Sequence, residues 1–577
     1  MSGCCAGLRN ARLQSQTHTN TNHHPSRPPL DRKHSSHGLT LSSPAPSGYT
    51  QPIVNDSNSP ASSEHSDQPT LPGLNVPDAR YAVSVTDAQQ SLHASPKTGS
   101  PQHPGSPHEL ARTLTLPGAI TLNLLDMIGV GPFITLPLLL AAMGGPQAML
   151  GWIAGALLAL CDGLVWAELG AAMPEAGGTY AFLRRIYPGR LGRALSFLFL
   201  FQLLFSAPLS VASGAIGLSQ YATFFTPLLT AHTLTHSIPL GPYTFGIAIN
   251  WATATALLAI ALAVALLYRN LAKMRTLSTA LLVLVLGTIG WVIVTGLLHG
   301  HTALWQMPPG AFHLDRPFLA GLATAMLIAT YDYWGYYNVA FLGGEARDAA
   351  RTIPRAILIS IAIVAALYVA MNLAILSVLP WQSLLAAQGA EARRALVAVF
   401  IETAYRSSLG PVLAHRLGLF AAGLVMATAL ASIFALLLGY SRIPFAAARA
   451  GGFFAALGKL HPTRHFPHRS LLLLAGLAAV FSFFSLADVI AALVVVRILL
   501  QFLLQHVGVL YLRRHEPHLP RPFRLWLYPV PPILAILGFT YILLARPHFT
   551  RELILAAVVV TFGLLSFMLW ERRARHA

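Results

Sequence analysis

Cysteine is nearly missing from this chain: Cys4, Cys5 and Cys161 are the only three. Three thiols, one of them inside an apolar run, exclude a disulfide-stapled scaffold. Charge is also scarce. Asp, Glu, Lys and Arg make up 10% of 577 residues, against 54% hydrophobic ones, and mean hydropathy is +0.57. That balance excludes an ordinary soluble domain. Acidic residues number 21 against 38 Lys and Arg, for a formal net charge of +17. Residues 1–110 hold seven of each sign, so the whole excess lies in the apolar part of the chain. There the basic residues are scattered over short loops between apolar runs. This argues against nucleic acid as a partner and for a role in membrane orientation. Catalytic signatures are lacking as well: there is no Gly-x-Ser-x-Gly elbow, no His-Glu-x-x-His and no Walker loop. The chain is therefore not expected to be an enzyme, and neither a cofactor nor a metal is expected. His461, His465 and His468, spaced four and three apart beside Pro and Arg, read as a solvated basic loop. The first residues lack a continuous apolar core, so no signal peptide is expected.

Three regions follow from composition. Residues 1–111 are rich in Ser, Pro, His, Asn and Thr and poor in large apolar side chains. Such a segment buries too little surface to offset its ordering entropy, and it is expected to be a disordered extension. Its histidines, His23, His24, His34 and His37 among them, read as solvated low complexity, and Cys4 and Cys5 carry only a weak acylation signal. Residues 112–572 form the transmembrane part, and 573–577 a short cytoplasmic tail.

From Pro117 onward, apolar runs of membrane-crossing length recur. Twelve spans are expected at 118–143, 146–173, 192–222, 246–267, 277–298, 318–342, 354–379, 416–440, 470–486, 487–511, 527–545 and 552–570. The ninth and tenth are divided only at Ala487 and Asp488. With the N-terminus inside, inner loops and tail hold 22 Lys and Arg and outer loops hold 7. This predicts cytoplasmic termini in a plasma (inner) membrane.

Two spans are interrupted near their middle. The first carries Asp126-Met127-Ile128-Gly129-Val130-Gly131-Pro132-Phe133, and the sixth carries Ala329-Thr330-Tyr331-Asp332-Tyr333-Trp334-Gly335. They run in opposite directions with breaks at equal depth, the pattern of a five-plus-five inverted repeat with substrate at the midplane. Beyond Gly131 a half-helix begins with Pro132 near its first position. Its free N–H groups and positive dipole end suit a carboxylate. The half-helix ending near Thr330 presents carbonyls that suit an ammonium group. A substrate bearing both groups is an α-amino acid. The residues expected to bind it are Asp126, Ile128, Gly129, Val130 and Gly131 at the first break, with Thr330, Tyr331, Asp332, Tyr333 and Trp334 at the second. The aromatic residues would wall the pocket or stack on a cation.

These residues resemble a known family. Asn123-Leu-Leu-Asp-Met-Ile-Gly-Val-Gly-Pro-Phe133 is similar to the first-span signature of amino acid–polyamine–organocation permeases. Trp166-Ala-Glu168-Leu followed by Met173-Pro-Glu-Ala-Gly-Gly-Thr-Tyr180 resembles that family's second-span ending and re-entrant loop. Tyr331-Asp-Tyr-Trp334, Gly344-Glu345-Ala-Arg-Asp348 and Arg351-Thr-Ile-Pro-Arg355 resemble the sixth span and the loop after it. Ser441-Arg442-Ile-Pro-Phe-Ala-Ala-Ala-Arg449 with Lys459-Leu-His-Pro462 resembles the segment after the eighth. The likeness covers roughly residues 112–570. It implies an all-α integral membrane protein of about twelve helices, an inverted repeat with helices 1 and 6 broken, and substrate held at the two unwound stretches. Two features depart from it. Many relatives have Gly-Ser-Gly-Ile-Phe where this chain has Gly129-Val130-Gly131-Pro132-Phe133, and the Gly-Pro-Phe run is more like the polyamine-transporting branch. Some proton-coupled relatives carry a lysine in the fifth span, whereas residues 276–298 hold no Lys or Arg.

Ionisable residues inside apolar runs are functional candidates by default. Asp126 and Asp332 are expected to bind an amine or carry a proton. Glu168 and Glu345, near the cytoplasmic ends, are expected to pair with loop arginines such as Arg184 or Arg347 and serve a gate. Arg497 is expected to need a carboxylate partner, with Asp162 and Asp126 as candidates. Glu168, Glu345, Asp162 and Arg497 are thus the gating or proton-coupling set. The expected partners are an amino acid or amine, membrane lipid and a coupling proton. A polyamine or organic-cation carrier, or a non-transporting sensor of the same fold, is the alternative.

Overall fold

The computed structural model describes residues 112–231, 233–240, 243–268, 271–386, 395–485, 493–546 and 548–576. The expectations for the N-terminal extension, with Cys4, Cys5 and its histidines, lie outside these residues. So does the Ala487–Asp488 boundary.

The first span is two helices, α1 (Leu116–Met127) and α2 (Leu136–Met143), separated by an extended turn at Ile128 and a 3-10 turn at Gly131–Phe133. Pro117 sits in the first turn of α1, where its missing N–H costs little. Helix α3 (Met149–Ala172) follows, then the short α4 (Thr179–Ile186) and the long α5 (Gly189–Ala222). After the hairpin described below come α6 (Trp251–Leu267), α7 (Leu271–His299), α8 (Arg316–Tyr333) and the single turn α9 (Asn338–Phe341). Then follow α10 (Ala349–Leu376), α11 (Trp381–Leu385), α12 (Leu396–Tyr440), α13 (Arg442–Arg449), α14 (His468–Phe481) and α15 (Leu493–His515). The last two are α16 (Val530–Leu544) and α17 (Phe549–His576).

Seven of the described helical stretches are long and apolar enough to cross a membrane: Pro146–Ala172, Gly189–Ala222, Met274–His299, Ala349–Leu376, Leu396–Arg449, Leu493–His515 and Phe549–Arg573. Three more apolar helices, α6, α14 and α16, are shorter. Large apolar side chains stay exposed on the outer faces of the late helices, Leu537 and Phe562 among them, as suits lipid-facing helices.

The fold departs from the all-α expectation. Strands β1 (Leu234–Leu240) and β2 (Tyr243–Ile249) form an antiparallel hairpin, and the short β3 (Phe484–Ser485) pairs with β2. The reason is visible in composition: Tyr243-Thr-Phe-Gly-Ile-Ala-Ile249 is rich in aromatic and β-branched residues and follows Gly241-Pro242. The fourth span therefore begins at Trp251, not at residue 246, and the Asn250 side chain caps it through the Thr253 N–H at 2.8 Å. The stretch expected as a loop before the eighth span is helical, because α12 starts at Leu396 and bends at Gly410-Pro411, where Gly410 has φ +75°.

Close helix packing fixes the second broken segment. Gly151 and Gly155 on α3 lie against Ala325 and Ala329 of α8, with no room for a Cβ, so small residues let the two backbones approach. Trp152 then wedges against Tyr333 and Tyr368, with ring centroids 5.8 and 5.1 Å away. These large buried rings hold the end of α8 against α10.

Candidate functional site

The two breaks meet. Gly335, at φ +126°, adopts a conformation that L side chains rarely take. A Cβ there would lie 2.8 Å from the Met127 nitrogen, so the chain passes directly over the end of α1. The Asn123 side chain bridges the two segments, donating to the Tyr336 carbonyl at 2.7 Å and accepting from the Val339 N–H at 3.0 Å. The Tyr368 hydroxyl contacts the Met127 carbonyl at 2.7 Å and the Asp332 carbonyl at 3.3 Å. Backbone groups freed by unwinding are thus largely satisfied by side chains of neighbouring helices.

The sixth-span break lies slightly later than sequence indicates. Helix α8 continues through Tyr333, and the irregular stretch is 334–337. Thr330 is consequently helical, and its carbonyl accepts the Trp334 N–H at 3.1 Å.

Beside the junction is a cavity of about 80 Å³. Asp126, Gly129, Val130 and Gly131 line it from the first break, and Tyr331, Asp332 and Trp334 from the second, with Arg497 added from α15. Ile128, Thr330 and Tyr333 are buried in packing instead and do not line it. Asp162, Glu168 and Glu345 also lie away from it. Sequence reasoning missed Ser210, Ser213 and Gly214 of α5 and Ser432 and Tyr440 of α12. The signal for the three serines is a small polar residue inside an apolar helix, which is too common to single out, and Gly214 and Tyr440 carry none.

Donors and acceptors are unevenly placed around the cavity. Among the described residues, the Val130 and Gly131 N–H groups take no acceptor, although both lie at the start of a helical turn. Asp332 sits at the neighbouring helix end: its Oδ2 accepts from the Thr135 hydroxyl at 2.7 Å, just before α2. A Cβ on Gly131 would fall 2.2 Å from Asp332 Oδ1, so this glycine is required by close approach.

Arg497 lacks the expected carboxylate. Among the described residues, no Asp or Glu oxygen lies within ion-pair distance of its guanidinium. The group donates to the Tyr337 and Tyr440 hydroxyls at 2.5 and 2.8 Å and to Gln501 at 3.1 Å. It also lies 4.6 Å from the centroid of the Trp334 ring. Tyrosine hydroxyls satisfy the N–H groups without cancelling the charge, so the cation stays available to the cavity.

Glu168 and Glu345 have partners other than those expected. Glu168 pairs with Arg513 at 2.9 Å and Arg521 at 3.4 Å, and accepts the Leu525 N–H at 2.9 Å. Glu345 forms a two-point pair with Arg442 at 2.8 and 3.3 Å. Arg184 donates instead to Tyr180 and to the Ala450 carbonyl, and Arg347 to the Arg112 carbonyl. The partners are distant in sequence, which explains why adjacency suggested the wrong arginines.

Residues 114–564 match the family described as "Amino acid permease". The chain belongs to the amino acid permease family. It is accordingly a multi-pass membrane transporter protein and not an enzyme. This permease is 25% identical to the branched-chain amino acid permease BcaP of Bacillus subtilis over 463 residues, 79% of this chain and 93% of that protein. It is 26% identical to the human Asc-type amino acid transporter 1 over 488 residues, 81% and 84% of the two chains. A methylthioribose transporter of B. subtilis matches over 467 residues at 23% identity, covering 80% of the permease and 94% of that protein. Relatives at this distance thus carry chemically different solutes, and the substrate must be argued from the cavity.

Proposed function

We propose that this permease is a secondary transporter that carries small α-amino acids across the plasma membrane by alternating access. The twelve helical segments would cross the bilayer with both termini cytoplasmic, as the basic loops favour. The first ten would form an inverted repeat, with the outward faces of the helices in contact with lipid.

The observation that carries this reading is the pair of unpartnered N–H groups, Val130 and Gly131, in the same cavity as the uncancelled guanidinium of Arg497. Together they suit a carboxylate. Asp126, lying beside Gly335 in the same cavity, suits the ammonium group. The Thr330 carbonyl is the weaker candidate, since it already accepts the Trp334 N–H. The volume of about 80 Å³ has room for roughly six waters at about 10–15 Å³ each, which favours a small side chain. Arg497 would be left without a counter-charge by a polycation, whereas an amino acid engages both it and the Asp126 carboxyl.

Uptake into proteoliposomes tests this. Labelled amino acids should enter with saturation, and excess putrescine should leave that uptake unchanged. Displacement by putrescine together with failure of every α-amino acid would defeat the proposal.

A further inference from the structure

Outside the cavity, the permease buries a second polar cluster that substrate recognition does not use. Asp162 on α3 and His506 on α15 are both fully buried, with His506 Nε2 3.2 Å from Asp162 Oδ1. Among the described residues neither atom makes a conventional hydrogen bond, although the Trp166 indole N–H also acts on the Asp162 carboxyl. His506 Nδ1 lies 2.6 Å from the Phe502 carbonyl oxygen. A carbonyl only accepts, so Nδ1 carries hydrogen. In a neutral imidazole Nε2 is then a bare acceptor, aimed at a carboxylate oxygen. Two acceptors at that separation, away from water, repel each other; one proton between them makes a charge-assisted hydrogen bond. The pair therefore requires one proton, held either as carboxylic acid with neutral imidazole or as carboxylate with imidazolium.

The cluster is tied to both walls of the cavity. Asp162 Oδ2 accepts from the Tyr336 hydroxyl. Tyr336 belongs to the sixth-span break, between Trp334 and Tyr337, and its carbonyl is held by Asn123 of α1. His506 lies on the same helix as Arg497, with a π-helical turn at Ile498–Leu503 between them. Such turns concentrate at functional sites, where a helix can change register. The other titratable or charged groups acting on the cluster are Cys161 on α3, Tyr337 beside Tyr336, and Arg497 at longer range. From α16 the packed side chain is the apolar Phe539.

We propose that Asp162 and His506 form the binding site for a coupling proton, linked by Tyr336 to the substrate cavity. With the proton bound, α3, α15 and the break are held together. On its release, to the side of the membrane then accessible, the two acceptors separate and free α15 to move with Arg497. This rests on the transport reading above.

The test uses the full chain in liposomes with a mixture of tritiated L-amino acids as probe. An acidic exterior should drive accumulation, up to about tenfold per pH unit if one proton accompanies each substrate. Asp162→Asn and His506→Gln should keep counterflow exchange while accumulation falls to the no-gradient level. Tyr336→Phe removes one hydroxyl, so it is the variant that decides if the other two lose exchange as well. It should exchange normally yet accumulate at least about threefold less. Unchanged accumulation in that variant, or a wild type that exchanges but does not accumulate under the pH gradient, overturns the proton site and leaves the transport reading intact. Absence of both exchange and accumulation in the wild type overturns the transport reading, and the proton site with it.

Discussion

The break at 128–130 and the break at 334–337 lie against each other but are built from opposite materials. The first is nearly bare: Gly129 and Gly131 bring no side chain to the cavity, and the Val130 and Gly131 N–H groups are left open. The second is dense with aromatic rings, and its irregular backbone is tied by Asn123, Tyr368 and the Tyr337–Arg497 contact. A stretch meant to bind through its backbone must keep side chains out. A stretch meant to carry a pocket wall must be locked by side chains, since its own helix no longer holds it. The pair thus divides the work: backbone dipoles on one side, rings and a cation on the other.

Substitutions can break or sharpen this contrast. The largest effect is expected from Gly131→Val, which drives a side chain into Asp332, 2.2 Å from where its Cβ would stand. Uptake should be abolished with surface expression intact, as measured by transport and by labelling of the membrane fraction; normal uptake would show that the bare break does not bind. Next is Arg497→Leu. Losing a charged hydrogen bond to a carboxylate costs about 1.5–3 kcal/mol, so KM for amino acids should rise roughly tenfold to a hundredfold. An unchanged KM would confine Arg497 to a structural role. Trp334→Leu removes the ring beside that guanidinium, worth about 0.5–2 kcal/mol. KM should rise about twofold to thirtyfold in concentration-dependent uptake, with larger substrates gaining relative to small ones. The smallest effect belongs to Ser432→Ala. Its hydroxyl reaches the Asp126 carbonyl at only 3.4 Å, so KM should shift by less than about threefold; a large shift would mean that this hydroxyl contacts substrate.

The same contrast explains what sequence disclosed. Gly129, Gly131 and Pro132 punctuate an apolar run unmistakably, because each has a conformational reason to interrupt a helix. The second break has only Gly335 as punctuation among aromatic residues that helices tolerate, so sequence puts the half-helix end near Thr330, whereas the helix runs through Tyr333. Composition also disclosed the helices themselves, since apolar length is a direct requirement of the bilayer. The end of the second strand, residues 246–249, reads as the start of a span because it is itself apolar. The partners of Arg497, Glu168 and Glu345 were out of reach for a different reason. They come from helices up to hundreds of residues away, and nothing in a sequence states which helices will be neighbours.

The tyrosine-clad Arg497 has one more consequence. The guanidinium clothed in hydroxyls shares one small chamber with the Asp126 and Asp332 carboxyls, so groups of both signs face the same space at short range. A lone inorganic ion of either sign meets a repelling group there, whereas a zwitterion pairs with both. An empty carrier of this construction is thereby guarded against ion leakage before any gate closes.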